Sequence, residues 1–135
     1  MRFLFERRKL LWPFVVAGLV VWASNHSQVA SPDIHGSDKV AHFCVYGLLA
    51  TLVCRIGGTM RAAIWALIVT SAFGATDEWH QSFVPGRTCD VFDWLADTSG
   101  AALAVALYVG WSAYRRLLER PLQVKTAAAP VADRA

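Results

Sequence analysis

Charge is what this sequence has least of. Lys, Arg, Asp and Glu make up 17% of its 135 residues, against 56% apolar residues and six tryptophans. A soluble domain carries about a quarter charged residues, so the composition favours a membrane protein. The net charge is only +3 and the basic residues do not gather with aromatics, which argues against a nucleic-acid-binding surface. Cysteine is scarce too: Cys44, Cys54 and Cys89 are odd in number and lack C-x-x-C spacing, so no disulfide framework is expected and the thiols read as free and buried. There is no internal repeat and no HExxH motif. The length suits one domain.

What the chain does have is four apolar stretches. Residues 1–9 are basic and residues 10–23 apolar, with Pro13 in the first turn, where it is tolerated, and Trp12 and Trp22 as anchors at the ends. A secretory signal peptide looks similar, with Val21-Trp22-Ala23 as its cleavage site; a retained span is the reading kept. Residues 24–38 form a polar loop holding His26, Asp33 and His35. Residues 39–56 form a second span stopped by Gly57 and Gly58, and residues 62–75 a third. Pro85 and Gly86 break the chain. A fourth span begins near Asp90 or Asp93 and ends around Tyr114, closed by Arg115, Arg116 and Arg120, with a disordered tail to residue 135. The expected fold is therefore all-α, an integral membrane bundle of four transmembrane helices over residues 10–114, flanked by a basic N-terminus (1–9) and a tail (115–135).

Charge sets the orientation. Four spans put the N-terminus, the Gly57 turn and the C-terminus on one side, with four, two and five Lys or Arg, 11 of the 13. The positive-inside rule places that side in the cytoplasm of a bacterial cell. The other side holds Lys39 and Arg87 against seven acids, formally −5.

Those acids centre on residues 76–97, TDEWHQSFVPGRTCDVFDWLAD. An acid at a bilayer centre costs roughly 2.5–3.5 kcal/mol, less near the interface, so these are expected to be paired or used. Helical spacing gathers Asp38, His42 and Tyr46 on the second span. It puts Asp77 with His80 and Gln81 on the third, and Asp90, Asp93 and Asp97 on the fourth, with Gly100, Ala101 and Ala104 continuing near that face for close packing. Three polar stripes then meet at one membrane surface. Each group also has a plainer reading. Asp90 and Asp93 suit a helix N-terminus, Lys39 can snorkel, and Arg87 fits a structural ion pair first and an anion contact second.

His42 and His80, with Asp77, Glu78 and Asp90, are the candidates for acid–base work. His42, His80 and Asp77 are weak candidates for a divalent metal, and no cofactor is otherwise expected. The full ligand-binding candidate set is Asp38, Lys39, His42, Tyr46, Asp77, Glu78, His80, Gln81, Arg87, Asp90 and Asp97. Knitting the helices together is the structural alternative, with the protein acting as an assembly partner. The lipid bilayer is the expected surrounding partner, and the oligomeric state is not legible.

The segments DKVAHFCVYGLLA (38–50) and ATDEWHQSFVPGRTCDVFDWLADTSGA (75–101) resemble the VanZ-like family. The matching positions are Asp38, Lys39, His42, Tyr46, Asp77, Glu78, His80, Gln81, Pro85, Gly86, Arg87, Asp90 and Gly100. Asp97 stands where the family often has Asn, and Cys89 where a small polar residue is expected. The resemblance implies a small multi-pass membrane protein of the cell envelope, linked by the family's name to glycopeptide (teicoplanin) resistance, and an envelope component or glycopeptide-type ligand as partner. It supplies no reaction.

Overall fold

A computed structural model describes residues 2–26 and 36–119, the first seven of them by backbone alone. Five helices follow one another: α1 (Arg2–Ser24), α2 (Ser37–Gly57), α3 (Met60–Gln81), α4 (Val91–Gly110) and α5 (Ser112–Glu119). The described residues form no strand, so the all-α expectation holds.

Local chemistry sets the helix limits. Gly36 (φ +86°) and Gly58 (φ +61°) sit in the left-handed region at either end of α2, and the Gly58 N–H bonds the Cys54 carbonyl at 3.1 Å. Thr59 caps α3 by accepting the Ala62 N–H at 3.1 Å, and Asp90 caps α4 by accepting the Phe92 N–H at 2.8 Å.

Three expectations need correction. The basic stretch 1–9 does not precede the first helix; α1 runs through it from Arg2, which leaves Pro13 in mid-helix rather than in a first turn. The third helix runs on from the apolar stretch to Gln81, so Asp77, His80 and Gln81 stand on it as expected, and its last acids accept hydrogen bonds from neighbouring elements. The fourth helix ends at Gly110, not Tyr114: Trp111 is extended (φ −108°, ψ 94°) and α5 starts afresh. Residues 115–119 therefore belong to a helix, not to a tail. Residues 120–135, like Asp33 and His35, lie outside the described residues.

α2 and α4 make the most extensive contact. Glycines allow it: a Cβ on Gly47 would stand 3.2 Å from the Gly100 carbonyl oxygen, and one on Gly100 would collide with the backbone of Phe43. Ala50, Ala101 and Ala104 continue this seam, and Cys54, Ala63, Ala66 and Tyr108 fill the end nearer the chain termini. At that end Glu119 accepts from Lys9 Nζ (2.9 Å) and Tyr108 Oη (3.0 Å), tying α5 to α1 and α4.

The interior is small or polar and the surface is large and apolar. Phe14, Trp22, Leu48, Trp65, Phe92 and Leu103 are exposed, whereas Thr51, Thr70, Asp77, Glu78, Gln81 and Asp97 are buried. Among the described helices α2 alone is both long and apolar enough to cross a membrane; the apolar part of α1, Lys9–Ser24, is shorter. α3 and α4 carry acids within their own turns.

Candidate functional site

At one end of the bundle, four helices bring polar side chains together in layers. The outermost layer centres on Lys39 of α2, whose Nζ donates to Asp93 Oδ1 at 2.7 Å, Asp90 Oδ2 at 2.9 Å and Asp38 Oδ2 at 3.4 Å. Lys39 thus clamps the start of α4 and does not merely snorkel. The Asp90 carboxyl is held below the usual carboxylate range, first by that ammonium and then by the Phe92 N–H.

Below it, His42 Nδ1 meets Asp97 Oδ1 at 2.9 Å, and the His42 and Tyr46 rings stack with centroids 6.2 Å apart. Asp77 accepts three neutral donors: Ser24 Oγ (2.6 Å), Gln81 Nε2 (3.1 Å) and Tyr46 Oη (3.2 Å). It ties α1, α2 and α3 into one knot. Glu78 reaches across to accept the backbone N–H of Asp90 at 2.9 Å. Deeper still, Ser71 Oγ and Thr98 Oγ1 are 2.8 Å apart, and Trp94 Nε1 donates to the Ser71 carbonyl at 3.1 Å.

His80 departs from the expected grouping. It is exposed, and its Nε2 lies 3.0 Å from Asn25 Oδ1 rather than among the carboxylates. Helix geometry explains this. With Asp77 at 0°, Gln81, Gly74 and Glu78 fall at about +40°, +60° and +100°, and His80 at about −60°. The buried arc is centred near Gln81 and Gly74, so Glu78 turns in and His80 turns out. Arg87 also departs: its Nη2 donates to the His26 carbonyl at 3.3 Å, a backbone contact in place of the expected ion pair. Of the three free thiols only Cys54 is buried; Cys44 and Cys89 are exposed.

Two atoms of the cluster stand out. Glu78 Oε1 and Asp97 Oδ2 are buried without a hydrogen-bond partner, although Asp97 is 0% exposed and Glu78 3%. Gly74 faces this point, for a Cβ there would lie 2.7 Å from Asp97 Oδ2. His42, Glu78 and Asp97 each offer one metal-ligand atom, all within 4.8 Å of one another. Beside the cluster a largely apolar groove of about 390 Å³ runs between α2 and α4, lined by Lys39, Val40, Phe43, Leu95, Ala96 and Ser99.

Ser24, Gly74, Ser71 and Thr98 were not foreseen as parts of this site. Only the spacing of Ser71 and Gly74 from Asp77 and Glu78 on one helix carried any signal of it.

The VanZ/LLP1 family model matches residues 2–114. The chain belongs to the VanZ/LLP1 family. It is also similar to an uncharacterised protein of Schizosaccharomyces pombe, with 33% identity over 117 residues, 84% of this chain and 70% of the yeast protein. No solved structure matches it. The matched span of this VanZ/LLP1 protein includes every residue of the cluster, and the segments that carry its sequence resemblance to VanZ-like proteins, 38–50 and 75–101, are the ones that build it.

Proposed function

We propose that this VanZ/LLP1 protein crosses the membrane four times with both termini in the cytoplasm, and that its polar cluster is an outward-facing site for the headgroup of a lipid or lipid-linked envelope component. One observation carries the reading: the apolar bulk lies outside, while the buried acids gather at one end of α2, α3 and α4. In water such an apolar surface would be a liability; in lipid it is the expected exterior, and polar groups within it default to function. The groove beside Lys39 suits an acyl chain leading to that headgroup. A relative in a yeast directs attention to membrane lipids or lipid-linked sugars ahead of a bacterial wall polymer. A glycopeptide-resistance role fits if the bound component is one that such drugs compete for.

Cys89 gives a native reporter of orientation, since it is exposed in the α3–α4 connection. A membrane-impermeant maleimide added to intact cells or spheroplasts is expected to label it, and labelling only after lysis would overturn the topology. For function, a deletion strain is complemented with wild type, His42→Ala or Asp97→Asn and scored for teicoplanin and detergent susceptibility. The variants are expected to behave as the deletion; full complementation by both would sink the site.

The second reading, an acid–base or metal-assisted enzyme on a lipid-linked substrate, is favoured by the contact at 2.9 Å between half-buried His42 and buried Asp97. Turnover of a lipid-linked substrate by the purified protein, lost in His42→Ala, would place it ahead.

A further inference from the structure

We infer that His42, Glu78 and Asp97 form a binding site for one divalent first-row transition ion, Zn²⁺ or Mn²⁺ in class. The three side chains come from three different helices, yet their ligand atoms lie within 4.8 Å of one another. Ligand atoms on a tetrahedral zinc, at about 2.0–2.1 Å from the ion, stand roughly 3.4 Å apart. Closing on the ion therefore needs a contraction of about an ångström and a half at most, within the reach of side-chain torsions.

The decisive feature is the pair of orphaned oxygens. Glu78 Oε1 and Asp97 Oδ2 lack any hydrogen-bond partner in side chains that are 3% and 0% exposed. Their fellow oxygens are already held, Glu78 Oε2 by the Asp90 N–H and Asp97 Oδ1 by His42 Nδ1, both at 2.9 Å. The Asp90 N–H, from outside the ligand set, fixes the direction of Glu78; the His42 contact lies within the set and gives way to an ion bound at that nitrogen, and one oxygen on each carboxylate is left for the ion. Asp77 shows that the same end of the bundle supplies donors where a carboxylate is only structural: it receives three. Lys39, the nearest ammonium, is engaged one layer out with Asp90 and Asp93 and does not serve these two oxygens. Gly74 leaves the carboxylate its room, since a Cβ there would stand 2.7 Å from Asp97 Oδ2.

The donor set selects the class of ion. One imidazole with two carboxylates suits Zn²⁺ and Mn²⁺, and the absence of thiolate among the three disfavours Cu⁺. Three protein ligands leave at least one position open for water or a ligand oxygen. This deepens the headgroup-binding reading and rests on it for its meaning: an ion here brings two positive charges into a face of formal charge −5 and gives a phosphate or other anionic headgroup a local point of attachment.

The full chain, purified in detergent and stripped with a chelator, is titrated with Zn²⁺ and with Mn²⁺ by calorimetry, and its metal content is read by mass spectrometry after dialysis. About one equivalent per chain is expected for one of the two ions, with affinity at least tenfold weaker in Glu78→Gln and in Asp97→Asn and unchanged in His80→Ala. Metal-dependent thermal stabilisation of wild type is the second measurement, and it needs no variant to fold. No binding and no stabilisation of wild type by either ion would overturn the inference, as would stoichiometric binding retained by a folded Glu78→Gln/Asp97→Asn double variant. These outcomes are distinguishable from failure of the headgroup site: metal-free wild type whose His42→Ala variant still fails to complement removes the ion and keeps the headgroup site, whereas stoichiometric metal with full complementation by the variants does the reverse.

Discussion

Gly100→Ala tests the joint on which the site is built. A methyl at position 100 would run into the backbone carbonyl of Phe43, and backbone cannot swing aside as a flexible side chain can. The helices must then part by about an ångström, and overpacking of this kind costs about 1–3 kcal/mol. Against it stands the intrinsic preference of a helix for alanine over glycine, about 0.8–1.0 kcal/mol. With backbone on the receiving side, the overpacking cost falls at the top of its range, so the net loss is about 2 kcal/mol. The consequence is not only one of stability. Phe43 follows His42 on α2 and Gly100 lies one turn beyond Asp97 on α4, so the same displacement opens the His42–Asp97 contact of 2.9 Å. The assay is thermal unfolding in a single detergent, with Gly18→Ala as the comparison, because a Cβ at Gly18 meets nothing within 4 Å. Gly100→Ala should melt roughly 5–10 °C below wild type, and Gly18→Ala at or slightly above it. If Gly100→Ala melted with wild type, the close crossing of α2 and α4 would be refuted, and with it the account of how His42 and Asp97 are held together.

The other mutations fall into two sets. Asp90, whose carboxyl is held low by Lys39 and the Phe92 N–H, contributes stability that is complete above its unfolded value of about 3.9 and is lost as pH falls through the lower folded value. Melting curves between pH 2.5 and 7 should therefore show a smaller acid loss for Asp90→Asn than for wild type, and equal losses would reject the assignment. His80→Ala should change stability by less than about 0.5 kcal/mol, as for an exposed group away from special features. Asp77→Ala, which strands the Ser24, Tyr46 and Gln81 donors, should cost about 3 kcal/mol or more. Equal melting temperatures for these two variants would contradict the contrast drawn between them.

The parts of the site that spacing alone made legible are those on a single helix with an unambiguous face. Asp38, His42 and Tyr46 recur every four residues on α2, and Asp90, Asp93 and Asp97 at three and four on α4; His42, Tyr46 and Asp97 point inward, while Asp38, Asp90 and Asp93 gather about Lys39 in the outermost layer. On α3 the same reasoning groups Asp77 with Gln81 correctly and with His80 wrongly, because two positions sixty degrees apart can lie on either side of the edge of a buried arc whose centre depends on neighbours. Ser24 was illegible for a different reason. Its partner is 53 residues away, and a serine at the end of an apolar stretch reads as the beginning of a loop. The stop at Gly110 was hidden because apolar and aromatic residues continue past it, while the break is a backbone event at Trp111.

Asp77 and Asp97 together show why burial alone does not define a site. Both are carboxylates at the same end of the bundle, 4% and 0% exposed, and a stability argument based on burial would treat them alike. Their surroundings differ in kind. Asp77 receives neutral hydroxyl and amide donors on both oxygens, an arrangement that is complete without any other molecule and that stabilises the contact of α1 with α2 and α3. Asp97 receives one ring nitrogen on one oxygen and nothing on the other, opposite a glycine and beside a glutamate in the same condition. A buried, incompletely satisfied carboxylate is costly to the folded state, and a second one beside it adds repulsion to that cost. A positive charge arriving between them lowers both terms at once, which is why the pair, rather than either acid alone, is the place where this protein should respond to a ligand.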